Sequence, residues 1–276
     1  PTWFFDYDND GWLDLFVAGY DNDAIDIAAV YLGEDDRAAR PRLYRNAADG
    51  TFTAVDAGIE GAVLAMGANY GDLDNDGFPD FYLGTGNPDL RSLLPNRMYR
   101  NDGGRRFQDA TTAGGFGHLQ KGHGVSFGDL DNDGDQDIYQ VMGGAYSGDV
   151  YYNALYANPG HGNRWVTLVL EGTASSRDAI GARLRVRVVK TGGVREIHVV
   201  AGSGGSFGGS SLQQELGLGR AEAIELVEVR WPATGAVERF AGVGLDRVWR
   251  LREGAGRAEL LARGEFDLTR AVQGHQ

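Results

Sequence analysis

Cysteine is absent from this chain of 276 residues. Its absence excludes disulfides, thiolate metal sites and catalysis by a cysteine nucleophile, but it assigns no compartment, because many exported bacterial proteins also lack cysteine. Long hydrophobic runs are missing too, and no apolar stretch approaches the roughly 18 residues of a membrane-spanning helix. No signal-peptide pattern is expected within these 276 residues. Because a motif begins already at Asp6, we expect the natural N-terminus to lie further upstream.

Basic side chains are scarce in the first part of the chain. Residues 1–160 hold 26 acidic and 10 basic side chains, whereas residues 161–276 hold 13 acidic and 16 basic ones. A strongly acidic surface repels the phosphate backbone, so nucleic acid is excluded as a partner.

Glycine is abundant, with 43 residues, and aromatic residues make up 11% of the chain. Hydrophobic residues account for 42%, which is enough for a packed core. Together with regular turn signals, this composition predicts an all-β protein rich in loops.

Three acidic loops share the pattern Asp-x-Asp-x-Asp-Gly-x-x-Asp and start at Asp6, Asp72 and Asp129. Calcium takes 6–8 oxygen ligands at about 2.3–2.6 Å. The aspartates at positions 1, 3, 5 and 9 and the backbone carbonyl at position 7 are predicted to converge on one ion in each loop, about three ions in all. The predicted ligands are Asp6, Asp8, Asp10, Trp12 and Asp14; Asp72, Asp74, Asp76, Phe78 and Asp80; and Asp129, Asp131, Asp133, Asp135 and Asp137.

An EF-hand shares the first six positions of this pattern but needs a glutamate at position 12. Val17, Leu83 and Gln140 occupy that position here, so the EF-hand interpretation fails. Magnesium is less suitable, because it prefers to keep waters in an octahedral shell. We expect calcium to rigidify the loops; a regulatory or ligand-bridging ion is the alternative.

A second marker follows each loop, as Leu43-Tyr-Arg-Asn46, Met98-Tyr-Arg-Asn101 and Leu155-Tyr-Ala-Asn158. The three tyrosines lie 55 and 57 residues apart, which is a period typical of β-propeller blades. An insertion of 11 residues within 20–41 lengthens the first unit. It contains Asp21, Asp23, Asp26, Glu34, Asp35 and Asp36, and its polarity predicts a surface loop.

Residues 158–163 form a linker rich in glycine, and alternating strands are predicted beyond it. These strands cover 165–170, 183–188, 195–200, 225–231 and 247–251. A short helix is predicted near 258–263.

The loops resemble FG-GAP (VCBS) repeats, the calcium-loop blades of integrin-like β-propellers, particularly at residues 71–77 and 128–134. The second half is similar to the ASPIC/UnbV domain of the cartilage acidic protein-like family, which has many bacterial members. The matching residues are Asn163-Arg-Trp, Asp178-Ala-Ile-Gly-Ala-Arg183, Gly202-Ser-Gly-Gly-Ser206, Leu216-Gly-Leu-Gly219 and Val229-Arg-Trp-Pro232.

This resemblance implies a partial β-propeller of about three blades at 1–160, a β-sandwich-like or barrel-like ASPIC/UnbV domain at 161–255 and a tail at 256–276. It also implies a secreted protein that is extracellular, periplasmic or on the cell surface. Because propellers of this type usually have about seven blades, N-terminal blades or another subunit are expected to complete it.

Function is open between three hypotheses. The first is a non-enzymatic binding or adhesion module for an unknown protein or glycan ligand, with no catalytic residues. The second is an enzyme or a biosynthetic accessory protein, with a site in the propeller near His123 or in the glycine-serine stretch 202–211. That stretch lacks the ending of a phosphate-binding loop, and a flexible hairpin or surface loop is expected there. The third is a structural segment of a larger surface assembly.

Overall fold

The computed structural model describes residues 1–34, 37–87, 93–144 and 146–268. Within these ranges 19 strands form five sheets, and one helix accompanies them. The protein is therefore nearly all-β, as predicted. None of the helical structure in these ranges has the length and apolar character that a membrane span requires.

Three sheets are antiparallel meanders, in which each strand pairs with its neighbour in sequence. Unit 1 contains β1 (Thr2–Phe5), β2 (Asp14–Val17), β3 (Arg42–Asn46) and β4 (Phe52–Val55). Unit 2 contains β5 (Ala65–Gly71), β6 (Asp80–Thr85), β7 (Arg97–Asn101) and β8 (Phe107–Asp109). Unit 3 contains β9 (Gly122–Gly128), β10 (Asp137–Met142) and β11 (Ala154–Tyr156). In every unit the acidic loop joins the first two strands. This is the strand order of a propeller blade, which confirms the predicted repeats.

The insertion in unit 1 forms a helix, α1 (Ala24–Leu32), so the prediction of a surface loop was wrong. Two of the acidic residues that suggested a loop, Asp23 and Asp26, lie at the start of the helix instead. The Asp23 side chain accepts hydrogen bonds from the Ile25 and Asp26 backbone N–H groups in a capping box. Ile27 is buried against Leu64 and its neighbours, which fixes the helix on unit 2. Two acidic residues of the insertion, Asp35 and Asp36, lie outside the described residues.

Aromatic side chains hold units 1 and 2 together. The Trp3 ring lies 5.9 Å from the Tyr70 ring, and the Tyr7 ring lies 6.2 Å from that of the fully buried Phe107. These rings belong to one continuous core that also contains Phe81. The aromatic residues of this core therefore pack between the two units.

The C-terminal part contains two sheets, with strand orders β15-β12-β18-β19 and β14-β13-β16-β17. Their strands are β12 (Arg164–Glu171), β13 (Arg183–Lys190), β14 (Gly193–Val200), β15 (Gln214–Gly219), β16 (Ala223–Arg230), β17 (Val237–Phe240), β18 (Val248–Arg252) and β19 (Ala258–Leu261). Side chains of both sheets share one core, for example Leu168, Val186, Val227 and Leu251. This sandwich-like arrangement contains all five predicted strands.

The segment predicted as a short helix near 258–263 is strand β19 instead. Its sequence has good helix formers, but β18 offers an open edge, and residues 258–261 pair with it in antiparallel register. Backbone pairing with the sheet thus overrides the local helix preference.

The glycine-serine stretch 202–211 lies across the inner strands of units 2 and 3. Ser206 and Ala68 exchange two backbone hydrogen bonds of 2.7 and 2.8 Å, and the Val125 N–H donates to the Phe207 carbonyl at 3.1 Å. The stretch is partly exposed, as expected for a surface loop, but it forms no hairpin of its own. It is anchored to the propeller units by its backbone.

Glu253 lies in the turn between β18 and β19 and fastens this turn to the segment that follows β12. Its carboxylate accepts hydrogen bonds from three consecutive backbone N–H groups, those of Thr173, Ala174 and Ser175, at 2.8–2.9 Å. These donors lower the pKa of Glu253 to about 2. A carboxylate with a lowered pKa stabilises the fold when it is ionised.

We expect Glu253→Gln to lower the melting temperature at neutral pH, because the amide binds the three donors more weakly. The difference in melting temperature between the variant and the wild type should be largest above pH 5. It should shrink as the pH falls toward 2, where wild-type Glu253 becomes protonated. Thermal melts over this pH range measure it. Glu259→Gln, which removes only the exposed ion pair with Arg250, is the control and should change little. A Glu253→Gln effect that does not vary with pH would contradict the assigned role.

Candidate metal centres

The three acidic loops have the same backbone conformation. Position 4 is left-handed at Asn9 (φ 58°), Asn75 (φ 54°) and Asn132 (φ 62°). The glycine at position 6 also has a positive φ, of 91° at Gly11, 90° at Gly77 and 95° at Gly134. Asparagine tolerates the first conformation and glycine the second, as the sequence predicted.

The aspartate at position 1 closes each loop. Both carboxylate oxygens of Asp6 accept backbone hydrogen bonds, from Asp10 at 3.1 Å and from Gly11 at 2.8 Å. Asp72 and Asp129 accept the equivalent bonds in the other two loops. The carboxylates therefore shape the loop in addition to facing its centre.

Each loop brings three carboxylates together, with oxygen atoms within 4.8 Å of one another. The groups are Asp6, Asp8 and Asp10; Asp72, Asp74 and Asp80; and Asp129, Asp131 and Asp133. Among the described residues, these groups leave out three of the predicted carboxylate ligands, Asp14, Asp76 and Asp137. The carbonyls at Trp12, Phe78 and Asp135 remain predicted ligands; the backbone N–H of each of these residues donates to the position 5 carboxylate at 2.9 Å.

The aspartate at position 9 connects the loop to the second marker of its own unit. Asp80 accepts from the Leu73 N–H at 2.9 Å and from the Asn101 N–H at 2.7 Å. Asp14 and Asp137 make the same pair of bonds in units 1 and 3. The sequence showed both motifs repeating but gave no sign that they touch.

The marker asparagine also reaches the preceding loop. The Asn101 side chain donates to the Tyr7 carbonyl of loop 1 at 2.9 Å, and the Asn158 side chain donates to the Leu73 carbonyl of loop 2 at 2.7 Å. In the opposite direction, Asn9 of loop 1 donates to the Gly77 carbonyl of loop 2 at 2.6 Å. The three loops are therefore linked in series by asparagine side chains.

Arginines of the marker neutralise part of the charge in two loops. Arg45 lies 2.9 Å from Asp8 and 3.1 Å from Asp10, and Arg100 lies 2.5 Å from Asp74. Unit 3 has Ala157 at this position, so its marker offers loop 3 no cation.

Burial makes the ionised form of these aspartates costly. Burial, together with the neighbouring carboxylates, raises the pKa of Asp6 and Asp129 to about 7. For the same reasons, the pKa values of Asp72 and Asp80 lie well above the usual range of an aspartate. A group of buried, mutually repelling carboxylates needs a compensating positive charge.

The residues present fit a hard divalent cation. All side-chain donors are carboxylate oxygens, which calcium and magnesium prefer over nitrogen or sulfur. One buried oxygen each of Asp8 and Asp131 has no hydrogen-bond partner within the described part of the chain, and a cation would satisfy both. These residues would hold the ion, which would supply the charge that the loops lack.

His123 lies outside the three carboxylate groups. It is the second residue of β9, and its Nε2 atom is buried without a hydrogen-bond partner among the described residues. Among the described residues no hydrogen bond or ion pair joins the His123 side chain to an acid or a base, so it remains a candidate from sequence alone.

Meander sheets that each carry an acidic loop of the same pattern between their first two strands define a β-propeller-type repeat protein. Family models agree: the FG-GAP-like repeat matches residues 6–83 and 84–139, and the model named ASPIC and UnbV matches residues 172–258. The chain is therefore an FG-GAP-like repeat protein with an ASPIC and UnbV domain. No curated protein matches it.

We expect Asn101→Ala to reduce the free energy of unfolding by about 1–3 kcal/mol, the typical cost of leaving buried polar groups without partners. Asn101 is fully buried and its side chain bonds the Tyr7 and Pro79 carbonyls. Urea unfolding measures the loss. Asn46→Ala is the matched control, because Asn46 is half-buried and its amide donates only to Leu13 among the described residues. Equal losses in both variants would contradict the link between loops.

Proposed function

We propose that each loop binds one calcium ion and that the protein is a calcium-stabilised binding module without catalytic activity. The observation that supports this most is the threefold recurrence of one oxygen cluster on one loop conformation. We place the module outside the cell, in the periplasm or on the cell surface, because FG-GAP-like repeats are typical of extracellular proteins.

A structural role for the ion follows from where the loops lie. Each loop is bonded to its own marker and to the neighbouring loop, so an ion that fixes one loop also fixes the contact between units. Without the ion, the carboxylates repel one another across less than 4.8 Å. Calcium therefore serves to hold the repeat array rigid, and the rigid array presents a surface to a protein or glycan ligand.

One observation favours a second candidate, an enzyme or accessory protein that binds a small molecule. A cavity of about 430 Å³ lies between the propeller units and the C-terminal domain. It is lined by Ser203, Ser210, His198 and Glu215, among others, and its volume suits a small ligand. No hydrogen bond among the described residues joins a serine of this stretch to a histidine, so a binding site is favoured over a nucleophilic one. Metal-dependent turnover of a glycan or peptide by the pure protein would overturn the non-catalytic assignment.

Unit 1 offers a surface for a further blade or another subunit. Phe4 and Phe52 are 53% and 41% exposed, and their rings lie 6.2 Å apart. Residues at the same positions in later units, Phe127 and Phe107, are at most 1% exposed, and Phe107 packs against the preceding unit. We infer that Phe4 and Phe52 are covered in the same way in the assembled protein.

We expect calcium to raise the melting temperature and a chelator to reverse the rise. Each site adds about 2.7 kcal/mol when free calcium is 100 times Kd. Titration calorimetry should give about three ions per chain and about two for Asp131→Ala. Asp131 suits this test because no marker arginine faces loop 3. The control is Asp178→Ala, an exposed aspartate outside the loops. An unchanged melting curve would refute calcium binding.

The Phe4 surface predicts self-association of the chain when nothing else covers it. Sedimentation velocity at increasing concentration should show association that Phe4→Ser weakens. Phe207→Ser is the matched control, since Phe207 is 73% exposed on the glycine-serine stretch. Equal association of both variants would show that the Phe4 surface does not mediate self-association.

A further inference from the structure

The face of the propeller units that carries the acidic loops is also the face that the C-terminal domain contacts. All three loops bond to this domain through their backbone or through an asparagine or glutamine side chain of the loop. The domain therefore rests on the same short segments that hold the carboxylate clusters.

Loop 1 covers the edge strand of the C-terminal domain. β14 is the outer strand of its sheet, and the His198 N–H on this strand donates to the Asn9 side-chain oxygen at 3.0 Å. Asn9 is the position 4 residue, between two clustered aspartates. A backbone donor on an exposed sheet edge is thus satisfied by the loop.

Loop 2 makes the most direct contacts, because three of its carbonyls accept from the domain. The acceptors are Asp74, Asn75 and Asp76, and the donors are Asn163 at 2.8 Å, Gly219 at 2.8 Å and Arg195 at 2.5 Å, respectively. The Arg195 guanidinium also lies 5.3 Å from the centre of the Phe78 ring. Phe78 is at position 7, whose carbonyl is a predicted ligand.

Loop 3 is held at its first and its central residues. Glu215 accepts from the Asp129 N–H at 3.2 Å and from the Gln136 side chain at 2.8 Å. Gly134 lies so close to the Trp165 ring that a Cβ atom there would sit 1.9 Å from it. The Phe266 N–H donates to the Asp131 carbonyl at 2.9 Å.

We propose that calcium in the loops controls the docking of the C-terminal domain onto the propeller units. The inference rests on the proposed calcium binding. The carbonyls that the domain binds belong to residues of the carboxylate clusters or to residues at most two positions away from them. When the ion leaves, repulsion between the carboxylates displaces these backbone segments, and the acceptors for His198, Gly219 and Arg195 move with them.

Coupling of this kind is reciprocal. If calcium favours docking, the docked domain must raise the affinity of the loops for calcium by the same factor. Arg195 is the residue best placed to transmit this effect, since it binds the Asp76 carbonyl and covers Phe78. It acts as a positioning residue for loop 2.

Hydrogen exchange of the whole chain, with calcium and with chelator, tests docking separately from ion binding. The His198 and Gly219 amides, which donate to loops 1 and 2, should exchange about tenfold faster or more without calcium. The Gly181 and Trp231 amides donate to Ala201 and Ala236 inside the domain. They should keep their rates and so report that the domain stays folded.

Arg195→Ala should weaken calcium binding about fivefold or more at one site, the lower end of usual coupling. The double variant Arg195→Ala/Asp74→Ala identifies the site as loop 2. Once Asp74→Ala has removed binding at loop 2, Arg195→Ala should weaken calcium binding no further. Arg183→Ala is the matched control, since Arg183 lies on the neighbouring strand and is exposed. Arg183→Ala should leave the calcium affinity and the exchange rates of the His198 and Gly219 amides unchanged.

Calorimetry on the same samples separates the two ideas. Calcium binding with unchanged His198 and Gly219 exchange would overturn the docking inference and leave the proposed ion sites in place. Absence of calcium binding would overturn the proposed function and the docking inference with it. Faster exchange of all four amides without calcium would mean that the domain unfolds, which would also refute controlled docking.

Discussion

Electrostatic repulsion within the acidic loops is the constraint on which the rest of the structure depends. Each loop confines at least three carboxylates within 4.8 Å, and burial makes their charge more costly. The protein offsets this cost in part with backbone N–H groups, and in units 1 and 2 with an arginine. A divalent cation would offset the remainder, so the stability of the array and the presence of the ion are physically linked.

This constraint extends beyond the loops because their backbone groups serve three purposes. They shape the ion site, they accept hydrogen bonds from the marker asparagine of the next unit, and they accept bonds from the C-terminal domain. Ordering one loop therefore orders its neighbours. The glycine-serine stretch adds a second connection, because Ser206 pairs with Ala68 on an inner strand. Units and domain thus form one continuous hydrogen-bonded structure.

The sequence predicted features that repeat or alternate, and missed features that depend on distant partners. The loops, the three units and the five C-terminal strands followed from spacing and periodicity alone. Helix α1 was missed because its acidic residues suggested solvent, although Asp23 caps the helix and Ile27 packs on Leu64. Strand β19 was missed because the edge of β18, which decides its pairing, is invisible in its local sequence.

The sequence by itself determined the loop chemistry, since four aspartates, an asparagine and a glycine at fixed positions dictate both the oxygen donors and the left-handed turns. Only the tertiary structure decided which aspartates converge and what the others do. Position 9 joins the cluster in loop 2 through Asp80, while Asp14 and Asp137, which are equally buried, tie their loops to the marker without joining the cluster. It also decided that Arg195, more than 100 residues away, meets loop 2. The physical reason is that ligand type is a local property, whereas burial and long-range hydrogen bonding arise only when the units pack.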